Sequence, residues 1–190
     1  MFSKFTMLVA NENTPAALRA YAAEKLSALS AVYGVYAVDG NHEFHTKQDL
    51  SSDEIYKRAN ITLLHDTLIE VADCFYIAGR NDPRGPEPRA PLSKLLSSAE
   101  KDRPVLLLSH RPTGLAKAKE MEVDLELSGH THHGQLFPAN LVTSMIYDVS
   151  YGHMQDGNFQ IIVSSGYGTW GYPIRTGSRS EMVRIQAAFR

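Results

Sequence analysis

Three apolar runs in this chain end on polar, metal-capable residues, and that shared ending constrains the fold more than any other feature. Val35-Tyr36-Ala37-Val38 runs into Asp39-Gly40-Asn41-His42-Glu43. Val105-Leu106-Leu107-Leu108-Ser109 runs into His110-Arg111-Pro112, and Leu125-Glu126-Leu127-Ser128 into Gly129-His130-Thr131-His132-His133-Gly134. Short apolar runs of this length read as buried strands. In open α/β sheets ligands gather beyond the carboxyl ends of the strands, so three such ends converge on one site when the strands are neighbours. The i, i+2 spacing of His130 and His132 predicts both rings on one side of an extended segment. Gly129 and Gly134 let the backbone turn sharply around that pair.

The rest of the chain supplies a mixed frame. Thr14-Pro15 opens a helix, with Leu18, Tyr21, Ala22, Leu26 and Leu29 on one face at helical spacing. A second helix begins at Ser51, where Glu54 completes a capping box, and ends near Asn60. Residues 61–65, 67–71 and 75–78 read as strands, and the proline-rich stretch from Arg84 to Pro91 as a surface loop. Helices are expected around 92–100 and 114–121, and strands near 160–164 and 181–187, with a glycine-rich loop over 165–180 between the last two. Interleaved helices and strands followed by strands alone predict a layered α/β fold with more than one sheet. No linker or repeat divides the chain: residues 1–14 read as a ragged lead and 15–190 as the domain.

Composition excludes several function classes. A net charge of −2, from 19 basic and 21 acidic side chains, gives no electrostatic footprint for nucleic acid or an anionic membrane. A single cysteine, Cys74, rules out a disulfide framework or a cysteine-rich zinc module, and its apolar surroundings predict a buried, inert thiol. No apolar run approaches the roughly 18–20 residues that span a bilayer. The chain as written therefore reads as soluble, and whether it is cytoplasmic or peripheral to a membrane stays open. The donors at the strand ends, imidazole nitrogen plus an asparagine amide oxygen, suit zinc, manganese, iron or nickel better than calcium. Arg175, in the glycine-rich loop, carries a forked donor suited to binding an anionic substrate. Arg111 adjoins His110, and His133 falls out of phase with the pair before it. Tyr167, Trp170 and Tyr172 read as aromatic packing under the glycine loop, and His45, His65 and His153 carry no assigned role.

Gly40-Asn41-His42-Glu43, Ser109-His110 after its apolar strand, and Gly129-His130-Thr131-His132 resemble the last three motifs of the calcineurin-like metallophosphoesterases, in that family's order. The continuation through Gly134-Gln135-Leu136-Phe137-Pro138, and the ending Ser165-Gly166-Tyr167-Gly168-Thr169-Trp170-Gly171 with Arg175 and Glu181 following, are similar to the bacterial YkuE/YaeI-like branch. The resemblance covers the chain from about residue 15 to its end. It implies an α/β/β/α sandwich of two sheets flanked by helices, with two divalent metal ions (Mn, Fe or Zn) at its rim. It further implies that Asn41, His110 and His130 bind the second metal, that His132 binds the first, and that His42 protonates or stabilises the leaving oxygen. The implied reaction is hydrolysis of a phosphomonoester, phosphodiester or pyrophosphate, on a small substrate that is nucleotide-linked, lipid-linked or generic.

The family's first two motifs, Asp-x-His and Gly-Asp-x-x-Asp, occur nowhere in these 190 residues. They carry the bridging carboxylate and the other ligands of the first metal. The resemblance therefore implies a partial domain lacking its first strands, with an impaired first metal site and donors enough for one ion. The rival reading is a degenerate, non-catalytic or single-metal member acting as a binding or scaffold protein.

Overall fold

The computed structural model of the chain describes residues 21, 23–42 and 51–188. The ragged lead, the helix opening at Thr14-Pro15, Glu43 and His45 lie outside these residues; the end of the expected first helix is present, with Tyr21 and residues 23–26 helical.

The elements follow in order as β1 (Tyr36–Ala37), α1 (Ser52–Arg58), β2 (Thr62–Leu63), β3 (Thr67–Val71), β4 (Phe75–Gly79), α2 (Leu92–Leu95), β5 (Val105–Leu108), α3 (Leu115–Glu120) and β6 (Leu125–Ser128). A short 3-10 turn (His132–Gly134), α4 (Ala139–Ile146), β7 (Gly152–Asp156) and β8 (Phe159–Val163) complete the series. The predicted capping box is present at α1: the Glu54 backbone N–H donates to Ser51 Oγ at 3.3 Å and the Ser51 N–H to the Glu54 carboxylate at 3.0 Å.

The strands form two sheets. β1 and β2 pair in parallel, and the larger sheet runs β3-β4-β5-β6-β8-β7. Its four central strands are parallel, and the antiparallel β3 and β7 form the edges. Strand alternation sorts the side chains into three apolar layers. Val38 and Leu64 from the small sheet meet Ile77, Leu106 and Leu108 of the large one. Ala78, Leu107 and Ile161, on the opposite face, pack beneath Leu92, Leu95, Leu115 and Ala118 of α2 and α3. Ala37 and Ile61 pack against Tyr56 and Ala59 of α1. The result is the expected α/β/β/α sandwich of two sheets.

Several local expectations fail for identifiable reasons. Residues 181–187 form no strand; the Glu181 carboxylate instead accepts from the Ser165 N–H at 2.8 Å, Ser164 Oγ at 3.1 Å and Tyr151 Oη at 3.0 Å, which pins this segment to the glycine-rich loop. β7 (Gly-His-Met-Gln-Asp) has almost no strand-favouring composition and exists as an edge because β8 supplies the ladder. The helix expected over 92–100 is one turn long. Cys74 is exposed, not buried: it sits in the β3–β4 turn, where Ala72 and Asp73 adopt positive φ of 52° and 53°.

Candidate metal centre

Register aligns the carboxyl ends of the central strands: Gly79 lies opposite Leu108, Leu108 opposite Leu127, and Ser128 opposite Val163. The ladder between β5 and β6 continues past both named strands. The Ser109 N–H donates to the Leu127 carbonyl at 3.1 Å and the Gly129 N–H to the His110 carbonyl at 3.0 Å. His110 and His130 are thereby set side by side, ring centroids 4.9 Å apart and planes crossed at 73°. Asn41 arrives from the other sheet, just after β1. His110 Nε2 lies 3.0 Å from Asn41 Oδ1 and 3.1 Å from His130 Nδ1. Gly40 makes this approach possible, since a Cβ there would stand 2.8 Å from His110 Cε1. The three donors expected to share one ion are thus brought together, across two sheets and three strand ends.

The protonation chemistry of this trio is frustrated. Burial, followed by the neighbouring His130, pushes the His110 imidazole down to about 3. Burial, followed by Arg111, pushes His130 down to about 4. Both rings are therefore neutral near pH 7, each with one N–H and one lone pair. A single proton on His110 Nε2 serves Asn41 Oδ1 or His130 Nδ1, not both, and His110 Nδ1 is buried with no hydrogen-bond partner. With its proton on Nδ1 instead, His110 would turn an Nε2 lone pair toward Asn41 Oδ1 and His130 Nδ1, and a cation would satisfy that set of donors.

His130, His132, His133 and Gln135 carry positive φ of 67°, 49°, 50° and 53°. The expected extended segment is thus absent: the backbone coils through a left-handed run, a conformation that costs a non-glycine residue on the order of 1–2 kcal/mol. Packing enforces it. Gly134, at φ 73°, lies so close to the start of α4 that a Cβ would come 2.1 Å from the Asn140 nitrogen. Thr131 Oγ1 donates to the Ser150 carbonyl at 2.7 Å and accepts from the His133 N–H at 3.2 Å. His133 turns away from the trio and lies against the Tyr151 ring at 4.2 Å. His132 Nδ1 is buried without a hydrogen-bond partner. Burial, then the charge of Arg175, then His42, push His132 down to about 4, so His42 and His132 lie within electrostatic reach of each other.

Arg175 meets a different set of partners from the one its sequence context suggested. Nη1 donates to the His132 carbonyl at 3.2 Å, while Nη2 donates to the carbonyls of Ser165 at 2.8 Å, Gly166 at 3.2 Å and Gly168. Its fork is engaged by backbone, and it ties the glycine-rich loop to the histidine loop. Tyr167, Trp170 and Tyr172 are exposed on the outside of that loop, not packed beneath it.

Three supporting residues escaped the sequence reading. Buried Asp82 accepts from Arg111 Nε at 2.8 Å, which fixes a guanidinium beside His110 and His130. Asp82 follows β4, so the strand-end rule that located the histidines also pointed to it. Asp39 is buried just before Asn41, with one carboxylate oxygen unpartnered, and desolvation raises its proton affinity. Gln135 is buried and donates from Nε2 to the carbonyls of Trp170 at 2.7 Å and Tyr172 at 3.2 Å.

Among the described residues no group of three or more His, Cys, Asp or Glu side chains is placed to hold a metal. The set that does converge consists of two imidazoles and an amide, with no carboxylate to bridge to a second ion.

Residues 10–134 match the calcineurin-like phosphoesterase family. An uncharacterised metallophosphoesterase of Helicobacter pylori is 32% identical over 170 residues, covering 85% of this chain and 44% of the relative. One from Aquifex aeolicus is 32% identical over 172 residues, 87% of this chain and 65% of its own length. A zebrafish transmembrane protein with a metallophosphoesterase domain is 30% identical over 178 residues, 86% of this chain and 41% of its own. The chain thus spans between two-fifths and two-thirds of the length of these relatives. Strand-end motifs, two-sheet sandwich and sequence similarity agree: this chain belongs to the calcineurin-like phosphoesterase family.

Proposed function

We propose that the chain carries the metal-binding half of a phosphoester-hydrolysing centre, with Asn41 Oδ1, His110 Nε2 and His130 Nδ1 holding one divalent ion. The approach of Asn41 Oδ1 to 3.0 Å and of His130 Nδ1 to 3.1 Å of His110 Nε2 carries the reading. A divalent ion bound there supplies Lewis-acid polarisation of a phosphoryl oxygen and acidifies a water. The chain's residues set the stage for that chemistry. Burial keeps both imidazoles neutral, so each retains one lone pair near pH 7. Arg111, held by Asp82, adds positive charge beside the trio and favours an anionic substrate. His42, on the same loop as Asn41, protonates the leaving oxygen by general acid catalysis. His132 offers one donor toward a first-metal position, and Arg175 fixes the loop on which His132 sits. The substrate class is a small phosphomonoester, phosphodiester or pyrophosphate, and manganese, iron and zinc are the ions such donors favour.

Metal analysis of the purified chain after loading with manganese or zinc, paired with hydrolysis of nitrophenyl mono- and diesters, tests the reading. One ion per chain, lost in His110→Ala and His130→Ala, supports it; metal retained in both variants overturns the ligand set. The second reading, a non-catalytic single-metal scaffold, is favoured by the lack of a carboxylate-containing metal group among the described residues. One bound ion with no turnover of any ester selects that reading, and turnover abolished by His42→Ala excludes it.

A further inference from the structure

Two half-buried arginines at the carboxyl end of the large sheet have no counter-charge. Arg80 extends β4, where its N–H donates to the Leu108 carbonyl at 3.0 Å. Strand alternation sets it on the face that α2 and α3 cover, beyond Tyr76 and Ala78. Ser109 extends β5 on the same face, beyond Val105 and Leu107. Arg89 comes to it from the proline-rich loop, and its Nη2 donates to the buried Ser109 Oγ at 2.9 Å. That loop is fastened directly after Arg89: the Ala90 N–H donates to Asp66 Oδ2 at 2.6 Å, and the Ala90 carbonyl accepts from Arg80 Nη2 at 3.4 Å. Neither arginine makes an ion pair among the described residues, and the Nε of each is buried without a hydrogen-bond partner.

The carboxylates nearby are committed elsewhere. Asp66 accepts from the backbone N–H groups of Asn81 at 3.1 Å and Ala90 at 2.6 Å. Asp82 accepts from the Arg84 N–H at 2.9 Å and Arg111 Nε at 2.8 Å, and Glu126 from Ser128 Oγ at 3.1 Å. Burial, then the charge of Arg80, pull the Arg89 guanidinium down to about 10, so the two cations act on each other. Charge taken out of water comes with a partner, and two like charges within reach of each other need one more. We propose that Arg80 and Arg89 together hold a tetrahedral oxyanion of the phosphate class, at a site separate from the histidine trio. Guanidinium forks match the oxygens of phosphate in geometry and charge. The trio lies on the other face of the same sheet, since His110 follows Leu106 and Leu108 in alternation and meets Asn41 of the small sheet. The arginine site therefore needs no metal. Its anion is either inorganic phosphate or the second phosphate of a substrate whose first one reaches the trio. The latter source rests on the phosphoesterase reading; the anion site itself does not.

The chain, freed of metal with a chelator, is titrated with inorganic phosphate and read by calorimetry and by its thermal midpoint. The expected result is one phosphate per chain and a raised midpoint. Affinity should fall about tenfold or more in Arg80→Gln and in Arg89→Gln. It should be unchanged in Lys101→Gln, an exposed residue ahead of β5 at the sheet's other end. In phosphate-free buffer Arg80→Gln should match or exceed the parent's midpoint, because one of two repelling charges is gone. A lower midpoint there with an unaltered phosphate response makes the arginine structural and overturns the proposal. No binding by the parent overturns it, as does equal binding by the parent and both arginine variants. So does binding that appears only in Glu126→Gln, which makes Glu126 the counter-ion. Butanediol bisphosphate separates the two sources. On the manganese-loaded chain, binding about tenfold or more tighter than that of phosphate assigns the site to a substrate's second phosphate, and equal binding assigns it to the free ion. The metal-free arm reads the site whether or not the chain hydrolyses any ester, so its failure is distinguishable from failure of the phosphoesterase reading.

Discussion

Helices α3 and α4 are close in length and opposite in construction. α3 turns Leu115 and Ala118 into the layer beneath it and sends Lys117, Lys119 and Glu120 outward, where Lys117 pairs with Glu120 and Lys119 with Asp156, each at 2.6 Å. α4 turns its small and polar positions inward and its large apolar ones outward. The difference follows from what each helix rests on. α3 covers the apolar face of the large sheet, so burial of Leu115 contributes about 1.5–3 kcal/mol. α4 rests on the coiled histidine loop, where Gly134 leaves room for Asn140 backbone but for no large side chain. One face holds the fold together and the other is left exposed.

The sharpest way to break that contrast is to place a carboxylate in each helix. Leu115→Asp should cost about 4 kcal/mol or more, because it buries an unpaired charge, whereas Leu141→Asp should fall within about 0.5 kcal/mol of the parent. Urea midpoints decide it, and equal losses would mean that the α4 stripe is covered.

The next effect is a pH dependence on the α3 side. Glu126 lies opposite Leu107 and Ile161, in the layer that α3 covers, and burial raises its carboxyl from 4.5 to about 7. An acid with a raised folded pKa binds more protons when folded, so stability falls as pH rises from about 4.5 through 7, by on the order of 3 kcal/mol, and levels off above. Glu126→Gln should flatten that slope in unfolding experiments across the same window. An unchanged slope would assign the dependence to other groups.

A smaller effect is expected beside α4. Arg175→Ala removes the donors holding four backbone carbonyls and should cost about 1–2 kcal/mol. Limited proteolysis should then cut within 166–174 faster than in the parent. Unaltered cleavage would show that Gln135 alone holds the loop.

The features written locally were legible in the sequence. The capping box at Ser51, the strand ends and their histidines each depend on neighbouring residues; a layered α/β fold with more than one sheet followed from the element order, and the two-sheet sandwich from the family resemblance. What failed depends on long-range partners. Residues 181–187 have strand-like composition, yet Glu181 spends its carboxylate on Ser164, Ser165 and Tyr151. His130 and His132 have strand spacing, yet contacts from Asn140 and Ser150 coil them. α4 escaped because its apolar stripe carries no inward signal, and Arg175 looked available because nothing near it in sequence names the carbonyls it serves.

The continuation of the β5–β6 ladder past both strands has a consequence for how this centre tolerates change. His110 and His130 are spaced by the pitch of the sheet itself, through the Ser109–Leu127 and Gly129–His110 hydrogen bonds, in which the Ser109 N–H meets the Leu127 carbonyl and the Gly129 N–H the His110 carbonyl. The connection between them, from Arg111 to Asp124, sets no part of that distance. Substitutions at its exposed positions, Lys117, Lys119 and Glu120, should leave the two donors' separation unchanged as long as Leu115 and Ala118 stay packed and the strands stay paired.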